Sequence, residues 1–194
     1  MRVFATIALF TASPVLAECP TASDLANGVQ IVEADGTVNL FTALGNGIVK
    51  NDGTAPDGYT YRNVLAQGTH LIELGDTENG AYISGSLRVV DYQMQPDQMP
   101  IPAPNTTWVV DTIVDNGSEY DERQTQSWGA ITTLSIGECS YEMIPGKVSY
   151  INSDYTVFEG LHYLPGLELG ILHSYQIQGE PPSHYVATSI EAVQ

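Results

Sequence analysis

The chain has 194 residues, with 6 Lys+Arg against 23 Asp+Glu and a formal charge of −17. So acidic a surface repels phosphate backbones and anionic lipid, which argues against a nucleic-acid partner and against attachment to an acidic membrane face. Two cysteines and no Cys-x-x-Cys pair exclude a dithiol redox centre of that kind.

The first residues read as a cleaved signal peptide. Arg2 supplies a positive start, Val3 to Ala12 are apolar, and Val15-Leu16-Ala17 ends on the small residue that a signal peptidase reads. The apolar run is too short to cross a bilayer and is interrupted by Ser13-Pro14. Glu18 stands directly before Cys19, where a lipoprotein signal requires a small residue, so cleavage is expected after Ala17 with no lipid anchor. The expected product is periplasmic or secreted. No later run is long and apolar enough for a transmembrane helix. Residues 18–194 suit one domain that buries roughly 70% of its unfolded surface, and no linker divides them. In an oxidising compartment Cys19 and Cys139 are expected to pair. A loop of over a hundred residues closed in this way is worth about 4–5 kcal/mol in the chain-entropy account.

After the leader, Thr21 to Ala26 allow a helical turn that Asn27-Gly28 would stop. Val29 to Glu33 and Thr37 to Leu44 flank Asp35-Gly36, a hairpin signal. A two-residue turn there would set Ile31 opposite Leu40 and send Phe41 to the other face. Gly45 to Gly58 reads as a loop with a short strand at Ile48-Val49. Tyr59 to Ala66 and Thr69 to Leu74 are strands joined at Gln67-Gly68. Ala81 to Tyr92 is the longest continuous strand candidate, with Ile83, Gly85, Leu87 and Val89 on one face and Tyr82, Ser84, Ser86 and Arg88 on the other. Pro96, Pro100, Pro102 and Pro104 make the next stretch an extended surface crossing.

Thr106 to Val114 and Ser118 to Trp128 form a hairpin around Asn116-Gly117. The second strand is so polar that it is expected to be an exposed edge, or to line something wet. Ile131 to Ile136 and Glu138 to Ile144 follow, read as one strand kinked at Gly137. A meander of short aromatic and β-branched runs then extends to Gln178, broken at Pro145-Gly146 and Asn152-Ser153-Asp154. His184 to Val193 supplies a last strand or a tail. Four Asn-Gly and three Asp-Gly pairs punctuate the whole. The expected fold is all-β: a single antiparallel domain of about ten strands, as a barrel, a half-barrel or a two-sheet sandwich.

No catalytic signature accompanies this pattern. There is no Gly-x-Ser-x-Gly elbow, no spare thiol beside a histidine, and no phosphate loop opening a helix. His-x-x-Glu at His70 to Glu73 places its two side chains on opposite faces of a strand, so it is not a zinc motif. No cofactor is implied. A two-residue turn at Asn116-Gly117 would set Asp111 opposite Glu122, and a Ca²⁺ ion would relieve that repulsion. His162 shares a face with Phe158 and His173 one with Ile171, Tyr175 and Ile177, and His173 reads as structural.

Tyrosine is the enriched aromatic, 11 against 4 Phe and 2 Trp. Trp108, Trp128, Tyr150, Tyr155, Tyr163 and Tyr175 are the candidate lining of an amphipathic ligand face. The expected function is that of a non-enzymatic exported domain binding a small apolar ligand or a cell-envelope protein. The alternatives are an interaction protein without a small-molecule site, and a secreted hydrolase using a carboxylate pair.

Overall fold

The computed structural model describes residues 18–193; the leader expected over residues 1–17 lies outside the described residues. The body is all-β. Its strands are β1 (Val29–Glu33), β2 (Val38–Gly45), β3 (Ile48–Thr54), β4 (Thr60–Ala66), β5 (His70–Glu78), β6 (Ala81–Tyr82), β7 (Arg88–Asp91), β8 (Thr107–Asp115), β9 (Glu119–Trp128), β10 (Thr132–Ile136), β11 (Cys139–Ile151), β12 (Thr156–Leu164), β13 (Leu169–Ile177), β14 (Ser183–His184) and β15 (Ala187–Ala192). Among the described residues helix is confined to 3-10 turns at Ala22–Ala26 and Pro96–Gln98.

All the strands belong to one antiparallel sheet, ordered β14-β13-β12-β11-β9-β8-β7-β5-β4-β3-β2-β1-β15, with β6 added to β5 and β10 to β11. It is one sheet, not two packed ones, and it is not closed into a barrel. Most neighbours are consecutive in sequence, as glycine-punctuated turns dictate: Gly36, Gly47, Gly68, Gly80 and Gly117 all have positive φ. Gly68 has a second reason, because a Cβ there would lie 2.0 Å from the Glu168 carbonyl oxygen.

The sheet curls. One buried cluster takes Val29, Ile31 and Phe41 from its first strands, Leu164 from β12, Leu167 from the turn after it, Leu169 and Ile171 from β13, and Ile190 from β15. The Cys19–Cys139 disulfide joins that cluster, with 5.5 Å between Cα atoms. It ties the start of the described chain to the first residue of β11.

The C-terminal segment lies against both ends of the strand order. β14 pairs with β13, and β15 pairs with β1. Between them the Tyr185 N–H donates to the His173 carbonyl at 2.9 Å, and the Val186 carbonyl accepts from the Ala34 N–H at 2.8 Å.

Several expectations need correction. Both Gly-centred hairpins have three-residue loops, not two. Glu33 N–H bonds to the Thr37 carbonyl, so Ile31 faces Asn39, and Phe41 shares the inner face with Ile31. Likewise Asp115 pairs with Glu119, which sets Thr112 opposite Glu122 and Asp111 opposite Arg123. A one-residue slip moves every side chain to the other face.

The long strand expected over Ala81 to Tyr92 is broken into β6 and β7. Ser86 Oγ bonds to the carbonyls of Asp76 and Ile83, and Gly85 takes φ +83, making a turn of residues 83–87. Val89 is consequently exposed, while Arg88 points inward. Ile136 and Cys139 pair across a tight turn, so β10 and β11 form a hairpin and not one kinked strand.

Pro145-Gly146 does not end a strand; it lies inside β11, where β11 exchanges β10 for β9 as its neighbour. The Pro145 carbonyl accepts from Gly129, and the missing N–H falls on that same edge, at the gap between the two neighbours. Gly146 leaves room for the Trp128 ring, whose Cζ3 would stand 2.2 Å from a Cβ. Finally, β9 is central, not an edge. Its inward residues Glu122, Gln124, Gln126 and Trp128 are all buried.

Candidate functional site

The curled sheet encloses a cavity of about 520 Å³. Alternation decides what faces it. From the first strands come Ile31, Glu33, Asn39, Phe41, Asn51, Tyr61 and Leu65; from β7, Arg88 and Val90. From β11 to β13 come Tyr150, Val157, Glu159, Leu161, Ile171 and Tyr175, with Tyr155 from the turn between β11 and β12. Tyr185 of the C-terminal segment covers part of the opening between the two ends. Aliphatic side chains, Phe41 and the rings of six tyrosines supply the apolar part of the wall, and Glu33, Asp35, Asn39, Asn51, Arg88 and Glu159 supply most of its polar atoms.

Polar groups collect at two poles. At the first, Asn51 Nδ2 donates to Asn39 Oδ1 at 2.9 Å, Tyr61 Oη donates to the same oxygen at 2.7 Å, and Asn39 Nδ2 donates to Glu33 Oε1 at 2.8 Å. Asn39 and Asn51 are each 5% exposed, and Asn51 Oδ1 has no hydrogen-bond partner. Burial, with Asp35 nearby, pushes the Glu33 carboxyl above the usual range, and the Asn39 bond only partly offsets it. Burial and the adjacent Glu33 push the Tyr61 hydroxyl up to about 12. The Tyr61 ring lies over Gly53, whose hypothetical Cβ would come within 2.1 Å of its Cζ. Tyr59 stands beside it, with ring centroids 6.0 Å apart.

At the second pole Arg88 Nη2 meets Glu122 Oε2 at 2.9 Å. The same carboxylate accepts from Tyr155 Oη at 3.0 Å and Gln124 Nε2 at 3.2 Å, and Gln124 Oε1 accepts from Tyr92 Oη at 2.8 Å. Tyr150 Oη donates to Glu159 Oε2 at 2.7 Å. Burial raises the Glu159 carboxyl, against the pull of the Tyr150 bond and of Arg88. Burial likewise holds the Tyr150 hydroxyl well above its ordinary value. The Tyr61 and Tyr150 hydroxyls are therefore neutral donors at any physiological pH.

Of the six aromatic residues singled out in the sequence, Tyr150, Tyr155 and Tyr175 line this cavity. The other three lie elsewhere. Trp128 and Tyr163 pack edge to face, 6.0 Å between centroids, and Tyr163 also borders a smaller hollow under the proline-rich crossing. Trp108 stacks on Tyr92 and meets the edge of His70, whose Nε2 bonds to the Pro100 carbonyl at 2.7 Å. That bond, with Gln67 Nε2 to the Pro96 carbonyl at 3.0 Å, fastens the crossing to the sheet.

Asp111 and Glu122 are not brought together. The corrected register leaves Asp111 exposed on the outer face in a two-bond pair with Arg123, at 2.7 and 3.0 Å, while Glu122 is buried inside. Among the described residues no group of three or more His, Cys, Asp or Glu is arranged to hold a metal ion. No helix among them is long and apolar enough to cross a membrane.

Sequence reasoning missed Glu33, Asn39, Asn51, Tyr61, Arg88, Glu159 and Tyr185. Asn51-Asp52-Gly53 has loop composition, and Arg88 stood on what read as the solvent face. The alternation Thr37-Asn39-Phe41 was a usable signal for an inward polar row once the hairpin register was right. The chain matches no protein-family model, no curated protein and no solved structure.

Proposed function

We propose that the chain is an exported, non-enzymatic binding protein that holds one small, largely apolar ligand inside its curled sheet. The observation that carries this reading is the 520 Å³ cavity walled by aliphatic residues and tyrosines in place of a packed interior. A disulfide, together with the absence of a membrane-crossing helix among the described residues, is compatible with a place outside the cytoplasm.

The test is titration with N-phenyl-1-naphthylamine, a neutral apolar dye that brightens when it leaves water. One saturable site is expected, competed by aliphatic alcohols. Val157→Trp, which fills the cavity from a half-buried wall position, should weaken binding at least tenfold. A dye signal unaffected by that change would place binding elsewhere, and no saturable signal would end the reading.

A second reading is a carboxylate-pair hydrolase, because Glu33 and Glu159 face the same cavity and both carboxyls are raised by burial, as a general acid requires. Hydrolysis of aryl glycosides, lost in Glu159→Gln, would favour it; ligand binding without turnover would dismiss it.

A further inference from the structure

The polar contents of the cavity are unevenly balanced. The sequence has six Lys and Arg residues, of which Arg2 lies outside the described residues. Each of the other five is engaged away from the first pole. Lys50 and Arg62 both hold Asp52, at 2.6 and 2.7 Å, and Arg123 holds Asp111 on the outer face. Arg88 lines the cavity at the second pole, where Nη2 is held by Glu122 while the buried Nε has no partner, and Lys147 Nζ sits 4.7 Å from the centroid of the Phe158 ring. Glu33 is left facing the cavity with one amide hydrogen bond and no cation.

The Asn39 amide already donates to Glu33 and the Tyr185 hydroxyl stands near it; the other groups left open at this pole accept, or offer an aromatic face. Asn51 Oδ1 is a buried acceptor without a partner, and the Asn39 carbonyl oxygen is already taken by two donors. The Tyr61 hydroxyl is turned to Asn39, and the Tyr59 hydroxyl to Asp76 at 2.6 Å. Their rings, not their hydroxyls, remain for a ligand. A carboxylate head would meet Glu33 and Asp35 with no free cation to receive it. A cationic head would meet a carboxylate, an orphan carbonyl oxygen and aromatic faces, three groups that each attract positive charge. The chain's net charge of −17 also favours the approach of cations.

We infer that the cavity's ligand is an amphiphile with a protonated amine head, seated between Glu33, Asn51 and the Tyr59–Tyr61 rings. Its apolar body extends along Ile31, Phe41, Leu65 and Ile171. This rests on the cavity-binding reading and narrows it to one ligand class. An amine supplies the N–H donors that Asn51 Oδ1 and Glu33 lack.

The experiment compares three probes of equal chain length on the disulfide-bonded protein by calorimetry: n-octylammonium, octanoate and 1-octanol. Octylammonium is expected to bind at least tenfold more tightly than either of the others. Glu33→Gln should remove that preference, bringing octylammonium down to the affinity of 1-octanol. A second measurement needs no variant. As the pH is lowered into the acid range, affinity for octylammonium should drop as Glu33, with Asp35 beside it and the tyrosines Tyr59, Tyr61 and Tyr185 around it, takes up a proton, at a higher pH than an ordinary carboxylate would. Equal binding of all three probes overturns the amine head and leaves the cavity reading intact. So does an octylammonium preference that survives Glu33→Gln. Binding of none of the probes overturns both.

Discussion

Arg88 on β7 reaches past the intervening strand β8 to hold Glu122 on β9 at 2.9 Å, so the pair links two strands that share no backbone pairing. Glu122 has a fully buried side chain, and Arg88 is about one quarter exposed, 26%. Removing the cation would strand a desolvated carboxylate, which typically costs about 3–5 kcal/mol. Arg88→Met should therefore lower the urea-unfolding free energy by that amount. Adding Glu122→Leu to it should restore a large part, because the uncompensated charge is then gone. Equal losses in single and double variants would show that packing of the Arg88 stem, not charge, is what matters.

The disulfide spans 120 residues of chain. Closure of so long a loop restricts the unfolded chain strongly, and loss of such a bridge costs about 2–5 kcal/mol. Cys19→Ser with Cys139→Ser should shift the unfolding midpoint by that free energy without changing the strand signal in far-ultraviolet circular dichroism. A midpoint unmoved by the double change or by reductant would mean that the buried cluster around Leu164 and Leu169 holds the chain start unaided.

Gly146 and Trp128 are matched so closely that neither can change alone. Gly146→Ala forces the indole out of place, at a cost of about 1–3 kcal/mol typical of overpacking. The near-ultraviolet dichroism of the tryptophans should weaken as well. An unchanged spectrum and midpoint would place the ring elsewhere.

Acid should weaken the fold through its buried histidines. Burial lowers the pKa of His70, and burial with neighbouring His173 lowers that of His162 to about 4. A base whose folded pKa lies below its unfolded value near 6.5 binds fewer protons when folded. Its stabilising contribution is complete above the unfolded pKa and is lost as pH falls through the window towards the folded one. Thermal midpoints should decline from pH 7 to pH 4.5, and His162→Gln should flatten part of that decline. Midpoints rising over that interval would contradict the assignment. His162 and His173 stack at 4.1 Å between centroids, so protonation also sets like charges face to face.

Strand-forming runs, turn glycines and the cysteine pair were legible in the sequence because each is a local signal. Asp35-Gly36 and Asn116-Gly117 mark turns correctly, yet the dipeptide does not specify loop length. One extra residue in each loop reversed the facing of Phe41 and of Asp111. The cavity was less legible for another reason. Glu33, Asn51, Arg88 and Glu159 belong to four strands, and only the curl of the sheet brings them to one space. Asn51 in particular looks like loop chemistry, because a buried asparagine makes sense only beside Asn39, 12 positions away. The polarity of β9 suggested a wet edge; in the interior Gln124 instead donates to Glu122 and accepts from Tyr92.

The placement of residues 187–192 has a kinetic consequence. Val29 waits for Ala192, and Ile31 for Ile190. Until those residues leave the ribosome, β1 exposes a bare row of amides and carbonyls, the kind of template on which chains join one another. Nearly all other pairings are made between neighbours and form early, whereas this one bears the largest loop-closure cost and forms late. A nascent chain of this protein is therefore most at risk of aggregating just before its final strand arrives.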